Sequence, residues 1–187
     1  MSTLPFPLPH CLRQSGASLI EVLVTVLVLS FGLLSLGSML AVSVQLPKIA
    51  GLRATASVLA SGHIERMRAN IPAFIAGNYN EELTYNGMRK GLSKPSSDCV
   101  YPNCTPALLA TLDRNYTNWK LDSELPAGGM RVERDTSAGV TDGNLWIIWN
   151  EPQTFAAINP SSSDQCPSQV ASFEDPKPRC LYVRFRL

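Results

Sequence analysis

Cysteine is the residue type with the greatest chemical potential in this chain of 187 residues. The five cysteines are Cys11, Cys99, Cys104, Cys166 and Cys180. A zinc knuckle is built from closely spaced ligand pairs, often with histidine. The two closest pairs here enclose four and thirteen residues, and neither has a histidine nearby. This spacing disfavours zinc and leaves two readings open, disulfides or free buried thiols.

The polar residues that could act in catalysis are isolated from one another. His63 is the one histidine after residue 16, and we expect it to be a packed or surface residue of a helix. Glu151 and Asp175 are loop acids without an evident carboxylate partner. The H-E-x-x-H, G-x-S-x-G and P-loop sequences are absent. The sequence therefore predicts no enzyme and no metal or other cofactor.

Charge and composition exclude two further classes. The 16 Lys and Arg residues nearly cancel the 15 Asp and Glu residues, so we predict no specific nucleic-acid partner. Hydrophobic types make up 45% of the chain and charged types 17%, which argues against disorder.

The apolar residues are concentrated near the start of the chain. No charged residue occurs from Val22 to Pro47, a run of 26 residues. About 20 apolar residues suffice for a helix to cross the hydrocarbon core, whereas a secretory signal has an apolar region of about 7–15. A buried core helix of this length should show a polar face. We therefore predict a membrane-spanning helix.

The residues just before this run carry a recognisable motif, GASLIE from Gly16 to Glu21. It resembles the cleavage site of type IV prepilins, in which a leader ends in glycine and the fifth mature residue is glutamate. The resemblance implies that a prepilin peptidase cuts after Gly16 and methylates the new amine of Ala17. It also implies that Glu21 neutralises the Ala17 ammonium of a neighbouring subunit, and it places the leader in the cytoplasm.

A narrower resemblance, to the PilV-type minor pilins, involves both ends of the chain. The run LIEVLVTVLVLSFGLLSLG is similar to their membrane segment. In the second half, a close cysteine pair precedes a helix that contains Trp119. The segment Leu125–Gly129 follows this helix, and strands come next, one of which ends in Trp149. This arrangement also resembles that subfamily.

Removal of the leader would remove Cys11 and leave an even number of cysteines outside the cytoplasm. Four cysteines in an oxidising compartment are typical of two disulfides, for which three connectivities exist. We favour Cys99–Cys104 and Cys166–Cys180, because each pair is local and encloses loop-like sequence.

We expect the first helix to continue beyond the membrane segment. Leu52, Ala56, Leu59, His63 and Met67 recur at helical spacing. Proline lacks an N–H group and clashes one turn back, so Pro47 predicts a bend near Ser43, and Pro72 predicts the helix end.

The second half predicts one more helix and three strands. Thr105 is a candidate N-cap with Pro106 at the first helical position, and Leu109, Leu112, Tyr116 and Trp119 follow on one helical face. The predicted strands are Met130–Arg134, Leu145–Trp149 and Cys180–Leu187, the last with clear apolar–polar alternation.

Together these features predict an α+β, pilin-like fold in which a long membrane-spanning helix packs against a small antiparallel-sheet head. The expected parts are a cleaved leader at 1–16, a helix at 17–72 and a head at 73–187 with two disulfides. Within the helix, 17–46 would lie in the membrane or filament core, and 47–72 would be amphipathic.

The resemblance implies a minor pilin that helps to initiate a type IV pilus and is incorporated into it, supporting twitching motility and adhesion. The implied partners are the prepilin peptidase, other minor pilins, the major pilin, the inner-membrane assembly platform and, before assembly, membrane lipid. The implied location is the inner membrane with a periplasmic head, and later the extracellular pilus. A type II secretion pseudopilin and a membrane-anchored binding module remain alternatives.

Overall fold

A computed structural model describes residues 16, 18–96, 99–100, 102–151, 164–173 and 177–187. Its elements are α1 (Leu19–Ala69), α2 (Ile71–Ile75), α3 (Pro106–Glu124), β1 (Gly129–Arg134), β2 (Asp142–Trp149), a 3-10 helix (Ser168–Ser172) and β3 (Arg179–Arg186). The long N-terminal helix and the small antiparallel sheet agree with the expected α+β layout. The chain divides into two compact units, with the boundary between Val44 and Gln45.

In the first unit, α1 presents an apolar surface on every side. The large apolar side chains from Leu19 to Val44 are between 41% and 86% exposed. The hydroxyls of Thr25, Ser30, Ser35 and Ser38 each donate to the backbone carbonyl three residues earlier, at 2.7–2.9 Å. The helix is long enough and apolar enough to cross a membrane, and these hydrogen bonds lower the cost of placing its hydroxyls in lipid.

The path of α1 around its prolines differs in part from expectation. The helix includes Pro47 and ends at Ala69, three residues before Pro72. Pro72 itself lies in the first turn of α2, a helix that the sequence did not predict. Proline is tolerated there because the first-turn N–H groups have no intrahelical partner. The bend near Ser43 stays a prediction.

In the second unit, the C-terminal part of α1 supplies one side of the hydrophobic core. Ala56, Ala60, Ile64 and Met67 are buried against residues of α2, α3 and the sheet. Ala56 and Ala60 are almost completely buried, so this face of the helix is closed to solvent.

Helix α3 begins as predicted but buries a different face. The Thr105 side chain accepts a hydrogen bond from the Leu108 amide at 3.2 Å, and Pro106 opens the helix. The buried residues are Ala110, Thr117, Leu121 and Asp122. The residues of the predicted face, Leu109, Leu112, Tyr116 and Trp119, are only half-buried. The apolar spacing located one face of α3, whereas the residues that the fold buries include the polar Thr117 and Asp122.

The three strands form an antiparallel sheet in the order β1-β2-β3, close to the predicted ranges. Val132 lies opposite Leu145, which lies opposite Val183, and these side chains share the core face. Gly143 is required on this face, because an added β-carbon would lie 2.5 Å from the Phe185 ring. The other face packs on a second cluster, whose buried members are Tyr85, Ala127, Ile148, Val170 and Cys180.

Candidate functional site

The predicted processing site lies at the start of α1. Gly16 is exposed, and a β-carbon added to it would meet no other residue of the described structure. Ala17 lies outside the described residues. Since no described residue requires glycine at position 16, a requirement for it would point to a partner that acts on this segment.

Glu21 lies in the first turn of α1 and is exposed. Its amide donates to the Ser18 carbonyl at 2.9 Å, which begins the helix. Among the described residues no cation pairs with its carboxylate. The positive end of the helix dipole stabilises an acid here by about 0.3–1 kcal/mol. That contribution is smaller than the cost of about 2.5–3.5 kcal/mol for an acid at the centre of a membrane helix.

Both favoured disulfides are present in the head. Cys99 and Cys104 are joined with their Cα atoms 4.6 Å apart, directly before the Thr105 cap of α3. Cys166 and Cys180 are joined with their Cα atoms 5.3 Å apart, which fixes the segment before the 3-10 helix to the second residue of β3. The zinc and free-thiol readings are therefore wrong for these four residues. No group of three metal-ligating side chains occurs in the described part of the chain.

A buried ion-pair network surrounds the second disulfide. Arg179 donates to both oxygens of the Asp164 carboxylate at 2.7 and 3.1 Å. Its guanidinium also lies 3.9 Å from the Glu151 carboxylate, which accepts a hydrogen bond from the Trp149 indole at 3.2 Å. Asp164 further accepts from the Cys180 amide at 3.2 Å. Two acids far apart in sequence thus share one arginine.

The network gives Glu151 a cationic partner, about which the sequence made no prediction. Its cation is Arg179, 28 positions further along the chain, so no local spacing pattern could have identified it. The adjacency of Arg179 to Cys180 was the one available signal, because the disulfide places Arg179 near residue 164. Asp175 lies outside the described residues.

A second buried polar cluster joins α1 to α3. Thr117 Oγ1 donates to the Asp113 carbonyl at 2.8 Å and accepts from Arg66 at 3.1 Å. His63 Nδ1 lies 2.8 Å from the same hydroxyl. Because the hydroxyl has already donated its one proton, Nδ1 must carry a proton and Nε2 must be an acceptor. Nε2 is buried and has no hydrogen-bond partner among the described residues.

His63 is held neutral by this environment. Burial, with smaller effects from the charges of Arg66 and Arg114, lowers the pKa of His63 from 6.5 to about 3. A base that is neutral and enclosed in this way contributes to packing and is inaccessible to a substrate. The structure therefore places His63 in the core, in agreement with the expectation that it is a packed or surface residue of a helix.

Tyr79 extends the same cluster. Its hydroxyl donates to the Asp113 carboxylate at 2.6 Å and accepts from Asn70 at 3.3 Å. Burial and the hydrogen bond to Asp113 raise the pKa of Tyr79 above its usual value. Asn70 also donates to the Pro106 carbonyl at 2.8 Å, so the start of α3 is fixed to the end of α1.

No protein-family model, curated protein or solved structure matches this chain.

Proposed function

We propose that this chain is a minor subunit of a type IV pilus that helps to initiate the filament and is incorporated into it. One observation carries the proposal. Gly16, at which an added β-carbon would meet no described residue, stands three positions before an exposed apolar helix, and the first turn of that helix contains Glu21. A simple membrane anchor requires neither the glycine nor the acid.

Glu21 supports an assembly function through its electrostatic requirement. A carboxylate in apolar surroundings needs a cation or a set of hydrogen-bond donors. The next basic residue along α1 is Lys48, so the same segment offers no side chain as a partner. Cleavage after Gly16 would create an ammonium group at Ala17, and this group on a neighbouring subunit would supply the missing charge.

The head supports a location outside the cytoplasm. Two disulfides in a unit of this size are typical of oxidising compartments. With the helix in the inner membrane, the head would lie in the periplasm before assembly and on the pilus afterwards. Other minor pilins, the major pilin and the assembly platform are the partners that the proposed function implies.

The decisive experiment is mass spectrometry of the protein purified from its own cells. We expect a mature chain that begins at a methylated Ala17. A chain that keeps Met1 would contradict the proposal and support a membrane-anchored binding module.

A paired mutation tests whether processing depends on Gly16. Gly16→Val should leave the full-length precursor on a gel, whereas Gly32→Val should mature normally, since its surroundings in the helix are equally open.

Deletion of the gene then distinguishes a type IV pilus from a type II secretion system. Loss of surface pili with normal secretion supports the pilus, and loss of secretion with normal pili supports a type II secretion pseudopilin.

A further inference from the structure

The two outer edges of the sheet differ in how their backbone groups are satisfied. In β1 the N–H groups of Met130, Val132 and Arg134 point away from β2. They donate to Thr84 Oγ1 at 2.9 Å, to the Glu81 carbonyl at 3.0 Å and to Asn80 Oδ1 at 3.1 Å. The segment 80–84 therefore closes this edge, and β1 offers no amide for a further strand.

The opposite edge, on β3, is open in the described structure. The Leu187 amide donates to the Thr141 carbonyl at 3.1 Å, which sets the pattern of the antiparallel ladder. Alternate residues bond to β2, so the backbone groups of Tyr182, Arg184 and Arg186 point outward. None of these three residues has a backbone hydrogen-bond partner in the described part of the chain. At Cys180, by contrast, Asp164 accepts the outward amide.

The charge exposed along this edge is positive. The side chains of Arg184 and Arg186 are 59% and 73% exposed, whereas those of their carboxylate partners, Asp135 and Asp142, are 22% and 6% exposed. Strand β3 contains no acidic residue. Both guanidinium groups reach back toward Asp142 of β2 and Asp135 after β1, but they stay largely exposed, so a strand that pairs here would meet them beside the open amides.

A second copy of this chain fits the edge poorly. An antiparallel pair that uses all three open residues places Arg184 directly opposite the same residue of the other copy. Like charges in opposite positions of a strand pair are destabilising. The arrangement instead suits a different polypeptide with acids at the positions that face the arginines.

We propose that the outer edge of β3, at Tyr182, Arg184 and Arg186, pairs with an extended segment of another protein that carries acidic side chains at alternate positions. Main-chain hydrogen bonds would give affinity, and the two arginines would give specificity. The inference goes beyond the proposed pilus function and does not depend on it, because it needs only the sheet and its charges.

The test uses the full chain in detergent micelles and a synthetic peptide of alternating glutamate and valine. We expect saturable binding by fluorescence anisotropy, with slower hydrogen exchange at the amides of Tyr182, Arg184 and Arg186. Two control peptides remove one feature each. The first is N-methylated on the amides that would face β3, and the second has lysine in place of glutamate. Both should bind at least about tenfold more weakly, as the loss of one or two hydrogen bonds or charge pairs predicts.

Variants of Arg184 separate the backbone from the charge. Arg184→Pro removes an outward amide without removing a bond to β2, and it should abolish binding. Arg184→Thr keeps the amide and loses the charge, so it should bind more weakly and with less dependence on salt. Circular dichroism verifies that both variants fold.

Two results would overturn the inference. Equal binding of the plain and N-methylated peptides would show that no strand pairing occurs. Failure of the acidic peptide to bind the wild-type chain would show that the arginines only protect the edge from aggregation.

Discussion

Arg179 and Asp164 form a two-point ion pair in which each side chain is only 4% exposed. The pair lies beside the Cys166–Cys180 disulfide and reaches Glu151 at 3.9 Å. It therefore connects the first residues of β3 with the chain on either side of residues 152–163. A buried pair of this kind is costly to break, because the remaining charge stays in apolar surroundings.

Arg179→Met should lower the free energy of unfolding by up to about 3–5 kcal/mol, since it removes the two-point partner of the buried Asp164 carboxylate and leaves only the more exposed Arg53, 3.5 Å away. Denaturant unfolding of the full chain in micelles, followed by tryptophan fluorescence, measures the loss. The matched control is Arg68→Met, which removes an exposed pair with Glu65 and should cost about 0.5 kcal/mol or less. Equal effects of the two substitutions would show that burial does not strengthen the Arg179 pair.

Stability should fall on acidification because of His63. The pKa of His63 is about 3 in the folded chain and 6.5 when unfolded, so between these values only the unfolded state binds a proton. Each unit of pH lost in this window should lower the free energy of unfolding by about 1.4 kcal/mol. Above pH 6.5 the contribution disappears, and below pH 3 it stops growing.

The variant His63→Gln isolates this effect, since glutamine does not titrate. Between pH 6 and 5, the wild-type protein should lose about 1.4 kcal/mol more stability than the variant. Carboxylates titrate in both proteins and cancel in the comparison. Parallel curves of stability against pH would contradict a buried, neutral His63.

The two disulfides should contribute unequally to stability. Chain-entropy arguments give about 3 kcal/mol for Cys166–Cys180, with a separation of 14 residues, and about 2 kcal/mol for Cys99–Cys104, with a separation of 5. Each pair is replaced by alanines, and thermal unfolding is recorded. Loss of Cys166–Cys180 should also reduce the effect of Arg179→Met, because the disulfide holds Asp164 near the arginine. Strict additivity of the two changes would argue against that coupling.

Glu21→Gln should preserve cleavage and membrane insertion but weaken docking to neighbouring subunits. The substitution keeps the shape of the side chain and removes the charge that the proposed contact with Ala17 requires. The readout is the amount of surface pili released by shearing, with a blot of the membrane fraction as the control for insertion. Wild-type piliation by this variant, combined with loss of pili on gene deletion, would reduce Glu21 to a residue at the membrane boundary.

Local patterns predicted α1, α3 and the three strands but neither α2 nor the 3-10 helix, and they did not predict the contacts between distant segments. Alternation identified β3 from Leu181, Val183 and Phe185, and capping chemistry located Thr105 correctly. The buried side of α3 could not be read from its sequence, because the partner helix determines that Ala110 and Thr117 lie inside. The Arg179 network was equally inaccessible, since its members come from separate segments that meet only after the sheet forms.

The hydroxyls of Thr25, Ser30, Ser35 and Ser38 also determine how α1 responds to a change of surroundings. Each donates to its own helix, so exchange of lipid tails for packed apolar side chains breaks none of these bonds. Their contribution to the transfer free energy is therefore small in either direction. Glu21 is the one ionisable group in this part of the helix. Whether α1 favours lipid or packed apolar side chains therefore depends chiefly on the charges that surround Glu21 in each environment.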